Sequence, residues 1–280
     1  MKCFERTQKP NVKSGFLELD KITNGWNNGN LIVIAARPAM GKTAFGVSLL
    51  REIAIKNRIP TAFFSLEMSN KRMINSLRAT LSKVDREKIR DYENGNTDAL
   101  SEEEKYRIED AEKQMDIAPI YLDDTPSLST FELYQKAVRL ISDFQIKLII
   151  VDYLELMNSG LLFSDRNEEI AYIIRRLKEL AKDLNIPIIV FGQLNRRKSG
   201  EEVEGRRPQL IDLRYDTIEQ DADVICFIHR PEYYKIYTDV DGNDLHGKAE
   251  IIVAKNRNGN TGDVFLKFNG ERSSFDNLDE

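Results

Sequence analysis

Short, continuous apolar runs recur along the chain, separated by longer stretches in which apolar residues return every three or four positions. These runs, which are mainly apolar, lie at 31–35, 61–66, 120–122, 147–153, 186–192 and 224–228. The stretches with helical spacing lie at 43–57, 70–116, 130–143 and 168–184. Unbroken apolar runs of this length are typical of strands covered on both faces. Their alternation with helices predicts an α/β fold with a mostly parallel, twisted sheet and helices on both faces.

The last part of the chain has a different pattern. Two apolar runs, 249–254 and 263–268, flank the turn-forming residues 258–262, which predicts an antiparallel hairpin at the end of the sheet. The ends of the chain are polar. We therefore expect one domain at 16–270, with an N-terminal tail or linker remnant at 1–15 and a C-terminal tail at 271–280.

A phosphate-binding pattern directly follows the strand predicted at 31–35. Four free residues after Ala36 are followed by Gly41-Lys42-Thr43, which is P-loop spacing with alanine in place of the usual first glycine. In such a loop Lys42 reaches the β and γ phosphates of ATP and the Thr43 hydroxyl can ligate Mg²⁺. The alternative is an ordinary strand–turn–helix with a chance Gly-Lys-Thr. The residues expected to contact the nucleotide are Arg37, Pro38, Ala39, Met40, Gly41, Lys42, Thr43 and Ala44.

Polar residues follow three other predicted strands, at the edge of the sheet where ligands bind in open α/β folds. Glu67 could position or deprotonate a water that attacks the γ phosphate, although an acid near a helix start is an equal alternative. Asp152 ends an apolar strand in the way that an Mg²⁺-holding aspartate does in P-loop enzymes. Gln193 could sense the γ phosphate or could merely cap a strand end.

Charge and composition restrict the partners. The 280 residues carry a net charge of −5, so nucleic acid could be bound only where basic groups are gathered locally. The densest basic cluster, at 195–209, includes Arg196 and Arg197. Lys255 and Arg257 stand beside the predicted hairpin turn, either as solubilising charges or within reach of a neighbouring molecule.

Other features bear on location. No apolar run has membrane-spanning length, and the N-terminus lacks a secretory apolar region, so we expect no membrane partner. The only cysteines are Cys3 and Cys226, one in the predicted tail and one in a strand, which favours a reducing cytoplasm. The two histidines lack partners at metal-binding spacing, so we assign them no ligand role.

An ordered set of motifs resembles the C-terminal, RecA-like motor domain of the DnaB family of replicative DNA helicases. The resemblance extends over about residues 14–270. The stretches that carry it are 35–45 (AARPAMGKTAF), 64–69 (FSLEMS), 150–157 (IVDYLELM), 193–196 (QLNR), 207–214 (RPQLIDLR), 218–223 (IEQDAD) and 254–259 (AKNRNG).

The resemblance implies ATP hydrolysis at the subunit interfaces of a homo-hexameric ring, which moves 5′ to 3′ along single-stranded DNA and unwinds duplex. By the same likeness Glu67 is the catalytic base, Asp152 the metal-side acid and Gln193 the coupling residue. Lys255 and Arg257 are implied to act in trans on the nucleotide of the adjacent subunit. Such a protein belongs in the cytoplasm, in a bacterial, plasmid or phage replisome.

The chain departs from the family pattern in three places. The helical domain and linker helix that precede the motor are not among the 280 residues, and through that region we expect contact with primase and a helicase loader. The family's DNA-contacting loop reads Glu-Ser-Gly after Asp-Leu-Arg, whereas here Arg214 is followed by Tyr215-Asp216-Thr217. Glu155 replaces the usual glutamine. The expected DNA-binding residues are Arg214, Tyr215, Thr217, Arg196 and Arg197.

Two further interpretations remain open. A RecA-like ATPase of the RadA or KaiC kind would act on recombination intermediates or protein partners, and it would not unwind strands. A non-motor module that joins and modulates helicase rings would bind ATP without DNA-stimulated turnover.

Overall fold

The computed structural model describes residues 11–195 and 205–278, which form a twisted sheet with helices on both faces. The strands in this part of the chain are β1 Leu31–Ala36, β2 Thr61–Ser65, β3 Ile120–Asp123, β4 Leu148–Asp152, β5 Ile188–Gln193, β6 Val224–His229, β7 Lys248–Asn256, β8 Gly262–Asn269 and β9 Ser274–Asp276. Their order across the sheet is β3-β2-β4-β5-β1-β6-β7-β8-β9. Strands β1 to β6 are mutually parallel, and β7, β8 and β9 add on as antiparallel neighbours, so both the predicted parallel sheet and the predicted hairpin are confirmed.

The helices are α1 Leu17–Thr23, α2 Lys42–Leu50, α3 Asn70–Ser82, α4 Arg86–Glu93, α5 Glu102–Asp116, α6 Thr130–Phe144, α7 Arg166–Leu184 and α8 Asp216–Asp221. All of these helices except the first, which precedes β1, lie in the connections between successive parallel strands. Capping boxes begin α5 at Ser101 and α6 at Ser129. Each serine hydroxyl accepts the backbone N–H three residues on, and the serine's own backbone N–H donates to the glutamate side chain at that position. Helix α2 continues into a π-helical segment at Arg51–Lys56.

Alternate residues of β1 supply two separate cores, one on each face of the sheet. Ile32 and Ile34 pack with α2 residues such as Phe45. Val33 packs on the opposite face, with α7 residues such as Ile174. The sheet is therefore covered on both sides, which explains why its central strands have no polar alternation.

The domain extends further at both ends than 16–270. Phe275, in the predicted C-terminal tail, is fully buried in β9 against Phe45, and its backbone N–H donates to Ser48 Oγ at 2.9 Å. At the other end Val12 is buried and pairs with Trp26. The predicted boundaries are wrong here because the few apolar residues in each polar end are not spaced regularly enough to give a periodic signal.

None of the helices within 11–195 and 205–278 is both long enough and apolar enough to cross a bilayer.

Candidate active site

The P-loop turns sharply between the end of β1 and the start of α2. Ala36 is the last residue of β1. Gly41 is the N-cap of α2 and has a φ of +93°, a backbone conformation that residues with a side chain rarely adopt. A Cβ at Gly41 would also lie 3.3 Å from the Phe275 ring. The glycine is thus required both by the turn and by the aromatic residues packed behind it. The first N–H groups of α2, which follow this turn, have no carbonyl partners within the helix and are available to an anion.

A cavity of about 360 Å³ opens at this edge of the sheet, in front of the P-loop. The register of the sheet explains which side chains meet there, since Ala36 is level with Gln193 and Ser65 is level with Asp152. Six of the predicted loop residues line the cavity: Pro38, Ala39, Gly41, Lys42, Thr43 and Ala44. Glu67, Gln193 and Tyr153 line it as well.

Two predicted loop residues, Arg37 and Met40, are not among those that line the cavity. Met40 is buried in the hydrophobic core, so its side chain anchors the loop and does not face a ligand. The prediction that it contacts the nucleotide is wrong for its side chain, because the P-loop pattern specifies backbone positions and does not show which side chains turn inward.

Thr43 and Asp152 are joined directly. The Thr43 hydroxyl donates to Asp152 Oδ2 at 2.6 Å. Asp152 is fully buried, and its other oxygen, Oδ1, has no hydrogen-bond partner. Burial raises the pKa of this carboxyl to about 6, against the lowering effect of the Thr43 hydrogen bond, and the charge of Glu67 raises it further. The site therefore holds an under-satisfied oxygen beside a hydroxyl.

Lys42 lies among three carboxylates. Burial lowers the pKa of its ammonium, while the charges of Asp152, Glu155 and Glu67 raise it. The ammonium also lies 5.9 Å from the centre of the Tyr153 ring. Glu67 itself is exposed, two residues beyond the end of β2. The partly desolvated cation of Lys42 on the cavity wall suits a ligand with concentrated negative charge.

Glu155 and Arg230 support the site, although neither was predicted to belong to it. Glu155 Oε1 accepts the backbone N–H of Gln193 at 2.9 Å, and burial raises the pKa of the Glu155 carboxyl. The Arg230 guanidinium lies 3.6 Å from the centre of the Phe268 ring and donates to the Ala39 carbonyl at 3.3 Å. For Glu155 the only sequence signal was that it stands where the family usually has glutamine. For Arg230 the sequence carried no signal.

Lys255 and Arg257 lie at the opposite end of the sheet from the P-loop. Lys255 pairs with Ile225 near the start of β6, and the Arg257 N–H donates to Asp223, just before that strand. This end is separated from the P-loop by the length of β1, about 16 Å at the usual rise per residue. The two cations therefore cannot complete the cavity of their own chain.

The predicted DNA-binding residues have different surroundings. Arg214 is exposed and lines a second cavity, of about 370 Å³, beside Gln193. Tyr215 is only 6% exposed and packs in the hydrophobic core, so its predicted contact with DNA is wrong for the side chain. Thr217 is half-buried in the first turn of α8. Arg196 and Arg197 lie outside the described residues.

Arg206 and Arg207, the members of the basic cluster that the structure describes, are engaged within the chain. Arg207 pairs with Glu250 and Asp263, each at 2.6 Å, and Arg206 donates to Gln209 at 3.2 Å. These two arginines therefore tie the end of the 195–209 segment to the sheet and to the turn before α8.

Comparison with known proteins identifies the family. A family model, the DnaB-like helicase C terminal domain, matches residues 11–277. The chain belongs to this family. The predicted resemblance is confirmed, and neither RadA nor KaiC kinship is supported.

Relatives and solved structures agree with this assignment. The replicative DNA helicase DnaB of Buchnera aphidicola subsp. Baizongia pistaciae is 40% identical over 277 residues, which cover 96% of this chain and 56% of the relative. A solved structure described as an ATPase domain has 31% identity and a TM-score of 0.86, covering 98% of this chain and 93% of that one. A DnaB-like replicative helicase, described with its interactions with primase, has 31% identity and a TM-score of 0.85, covering 96% and 62%.

The chain spans little more than half the length of the curated relatives it matches, 55% for a replicative DNA helicase DnaB of Leifsonia xyli. The RecA-like fold of a DnaB-family ATPase domain is confirmed. Membership of the family implies that this DnaB-like domain uses a nucleotide, and the cavity in front of the P-loop is where the structure provides for one.

Proposed function

We propose that this chain is the ATP-hydrolysing motor of a hexameric helicase ring that moves 5′ to 3′ on single-stranded DNA and unwinds duplex. One observation carries the proposal. The P-loop groups and the cation pair Lys255 and Arg257 lie at opposite ends of the same sheet. Each chain therefore presents one incomplete ATP site and the cations that would complete another, an arrangement that calls for head-to-tail subunits.

The P-loop side binds and orients the triphosphate. Lys42 meets the β and γ phosphates, and the backbone N–H groups of the α2 N-terminus stabilise their charge. Glu67 accepts a proton from the attacking water, for which an exposed carboxylate on the cavity wall is suitably placed. Gln193 contacts the γ phosphate from the end of β5, and Glu155 holds its backbone in place.

The residues present fit a magnesium ion. The unpartnered Asp152 Oδ1 and the Thr43 hydroxyl are hard oxygen donors, and we assign the ion to them. No group of three or more metal-binding His, Cys, Asp or Glu side chains occurs among the described residues. Magnesium bound together with phosphates needs only one or two carboxylates from the protein. When bound, the ion would neutralise charge on the phosphates.

Lys255 and Arg257 act in trans in this proposal. Their ammonium and guanidinium groups stabilise charge that develops on the neighbour's γ phosphate, as arginine fingers do. Single-stranded DNA passes through the ring centre, where Arg214 and Thr217 contact its backbone together with Arg196 and Arg197. Local contacts of this kind are compatible with the net charge of −5.

Partners of the full assembly are proposed from the relatives. One structural neighbour is described with its interactions with primase, and we propose primase as a partner here. A helicase loader remains a prediction from the family resemblance.

ATPase rates with and without single-stranded DNA, at several protein concentrations, test the proposal. Turnover per subunit should rise with concentration and with DNA. Lys42→Ala should abolish ATP binding or hydrolysis, whereas Glu67→Gln should keep binding and stop turnover. The matched control is Glu103→Gln, an exposed glutamate on α5 that should behave like the wild type.

Three outcomes would count against the proposal. Full ATPase activity in Glu67→Gln would overturn the assignment of the base. Full activity in an isolated monomer would exclude the trans role of the cations. ATP binding without any stimulation by DNA would favour the non-motor module.

A further inference from the structure

Asp223 is a buried carboxylate that contacts one of the two trans cations. It lies between α8 and β6 and is 3% exposed. Its Oδ2 accepts the Leu31 backbone N–H at 2.8 Å and the Lys178 ammonium at 2.5 Å. Its Oδ1 lies 3.3 Å from Arg257 Nη1. Oδ2 is thus fixed by β1 and α7, which leaves Oδ1 directed at the guanidinium.

The end of α8 holds both cations from the same side. Lys255 Nζ donates to the carbonyls of Glu219 and Ala222, at 2.5 and 2.8 Å. Arg257 Nη2 donates to the Gln220 carbonyl at 3.3 Å. The last carbonyls of a helix lack partners of their own and carry partial negative charge, so they favour cations.

Without such contacts the two cations would not stay in one arrangement. They are two residues apart and repel each other, and the charge of Arg257 adds to burial in lowering the pKa of Lys255. Arginine also has many rotamers, and ordering them during the reaction would oppose catalysis. About half of the Arg257 side chain is exposed, so the contacts with Asp223 and α8 leave part of the guanidinium free to face a neighbour.

We propose that Asp223, fixed by Leu31 and Lys178, is a positioning residue that orients Arg257 towards the nucleotide of the adjacent subunit. The inference rests on the trans role proposed above. Asp223 acts on the neighbour's ATP and not on the ATP of its own chain, because its own P-loop lies at the far end of β1.

The test uses the full chain and two readouts. Asp223→Asn keeps the shape of the side chain and removes its charge. Its kcat for ATP should fall about 10- to 100-fold, the cost of a misplaced catalytic group, with KM unchanged. The kcat of Arg257→Ala should fall further, by about a thousandfold or more, because the guanidinium itself is lost.

Mixing separates positioning from structural damage. Lys42→Ala subunits cannot hydrolyse ATP but present intact cations, so adding them to Asp223→Asn should restore turnover at the Asp223→Asn sites. A variant that merely misfolds would gain nothing. Arg175→Gln is the control, because Arg175 contacts α8 through Asp221 at 3.6 Å without touching either cation, and it should hydrolyse ATP like the wild type.

The outcomes are distinguishable. If Lys42→Ala subunits do not restore Arg257→Ala, the trans proposal itself fails. If Lys42→Ala subunits restore Arg257→Ala, two results would still refute the role of Asp223. One is that Asp223→Asn hydrolyses ATP like the wild type, and the other is that it stays inactive in the mixture. Should Asp223→Asn not fold, Lys178→Gln removes the cation that fixes Oδ2. It should show the same loss and restoration in milder form, and wild-type kcat in that variant would refute the inference.

Discussion

The Asp152 carboxylate makes the nucleotide-free protein less stable at neutral pH, and its removal should show this. Burial raises its pKa from 3.8 to about 6, so the folded state binds the proton more tightly than the unfolded state does. Below pH 3.8 Asp152 is protonated in both states and does not destabilise the fold. As pH rises through 6 the carboxyl loses its proton in the folded state, and the stability of the protein falls. We expect Asp152→Asn to stabilise the nucleotide-free protein, and to do so more at high pH.

The magnitude follows from the shift. At 1.36 kcal/mol per pKa unit, the charged form costs about 3 kcal/mol at pH 8 and about half as much at pH 5. Urea unfolding at both pH values, without nucleotide or metal, should show Asp152→Asn more stable than the wild type by roughly these amounts. Asp183→Asn, an exposed site on α7, is the control and should change stability by less than about 0.5 kcal/mol. An equal gain at both pH values, or none, would refute the reasoning.

Three further predictions concern the stability of the fold and the binding of ATP. Phe275→Ala should cost about 3–5 kcal/mol in chemical unfolding, whereas Phe131→Ala, at an exposed site, should change it by less than about 0.5 kcal/mol. Ser129→Ala should lose about 1 kcal/mol in the same assay, because it removes the cap of α6. Gly41→Ala should weaken ATP binding about tenfold by calorimetry. Gly242→Ala, equally positive in φ but with open space around it, should bind ATP normally.

Much of the fold and of the ATP site could be predicted because each strand carries its own signal. Apolar runs without alternation indicated buried strands, and an acid or amide directly after a strand indicated the edge where ligands bind. Asp152 and Gln193 end their strands and therefore lie on that edge. The register of β1, β4 and β5 brings both residues to the P-loop.

What was missed depends on packing between distant parts of the chain. Phe275 lies in a mainly polar stretch, so nothing local indicates that it packs behind the P-loop. Tyr215 is flanked by Arg214 and Asp216 and reads as a surface residue, yet tertiary contacts bury it. Nothing in the sequence indicates the π-helical segment at Arg51–Lys56. An ion pair between the buried Arg51 and Asp276 joins this segment to β9.

The P-loop and the cation pair lie at opposite ends of the strands, and if the cations act in trans as proposed, this sets a counting rule for assembly. A single subunit would then have no complete ATP site, and an open arc would have one fewer than its number of subunits. Closing the arc supplies the missing one. A ring that opened at one seam to admit a DNA strand would silence the site at that seam and leave the others intact, so hydrolysis at that position would itself report closure.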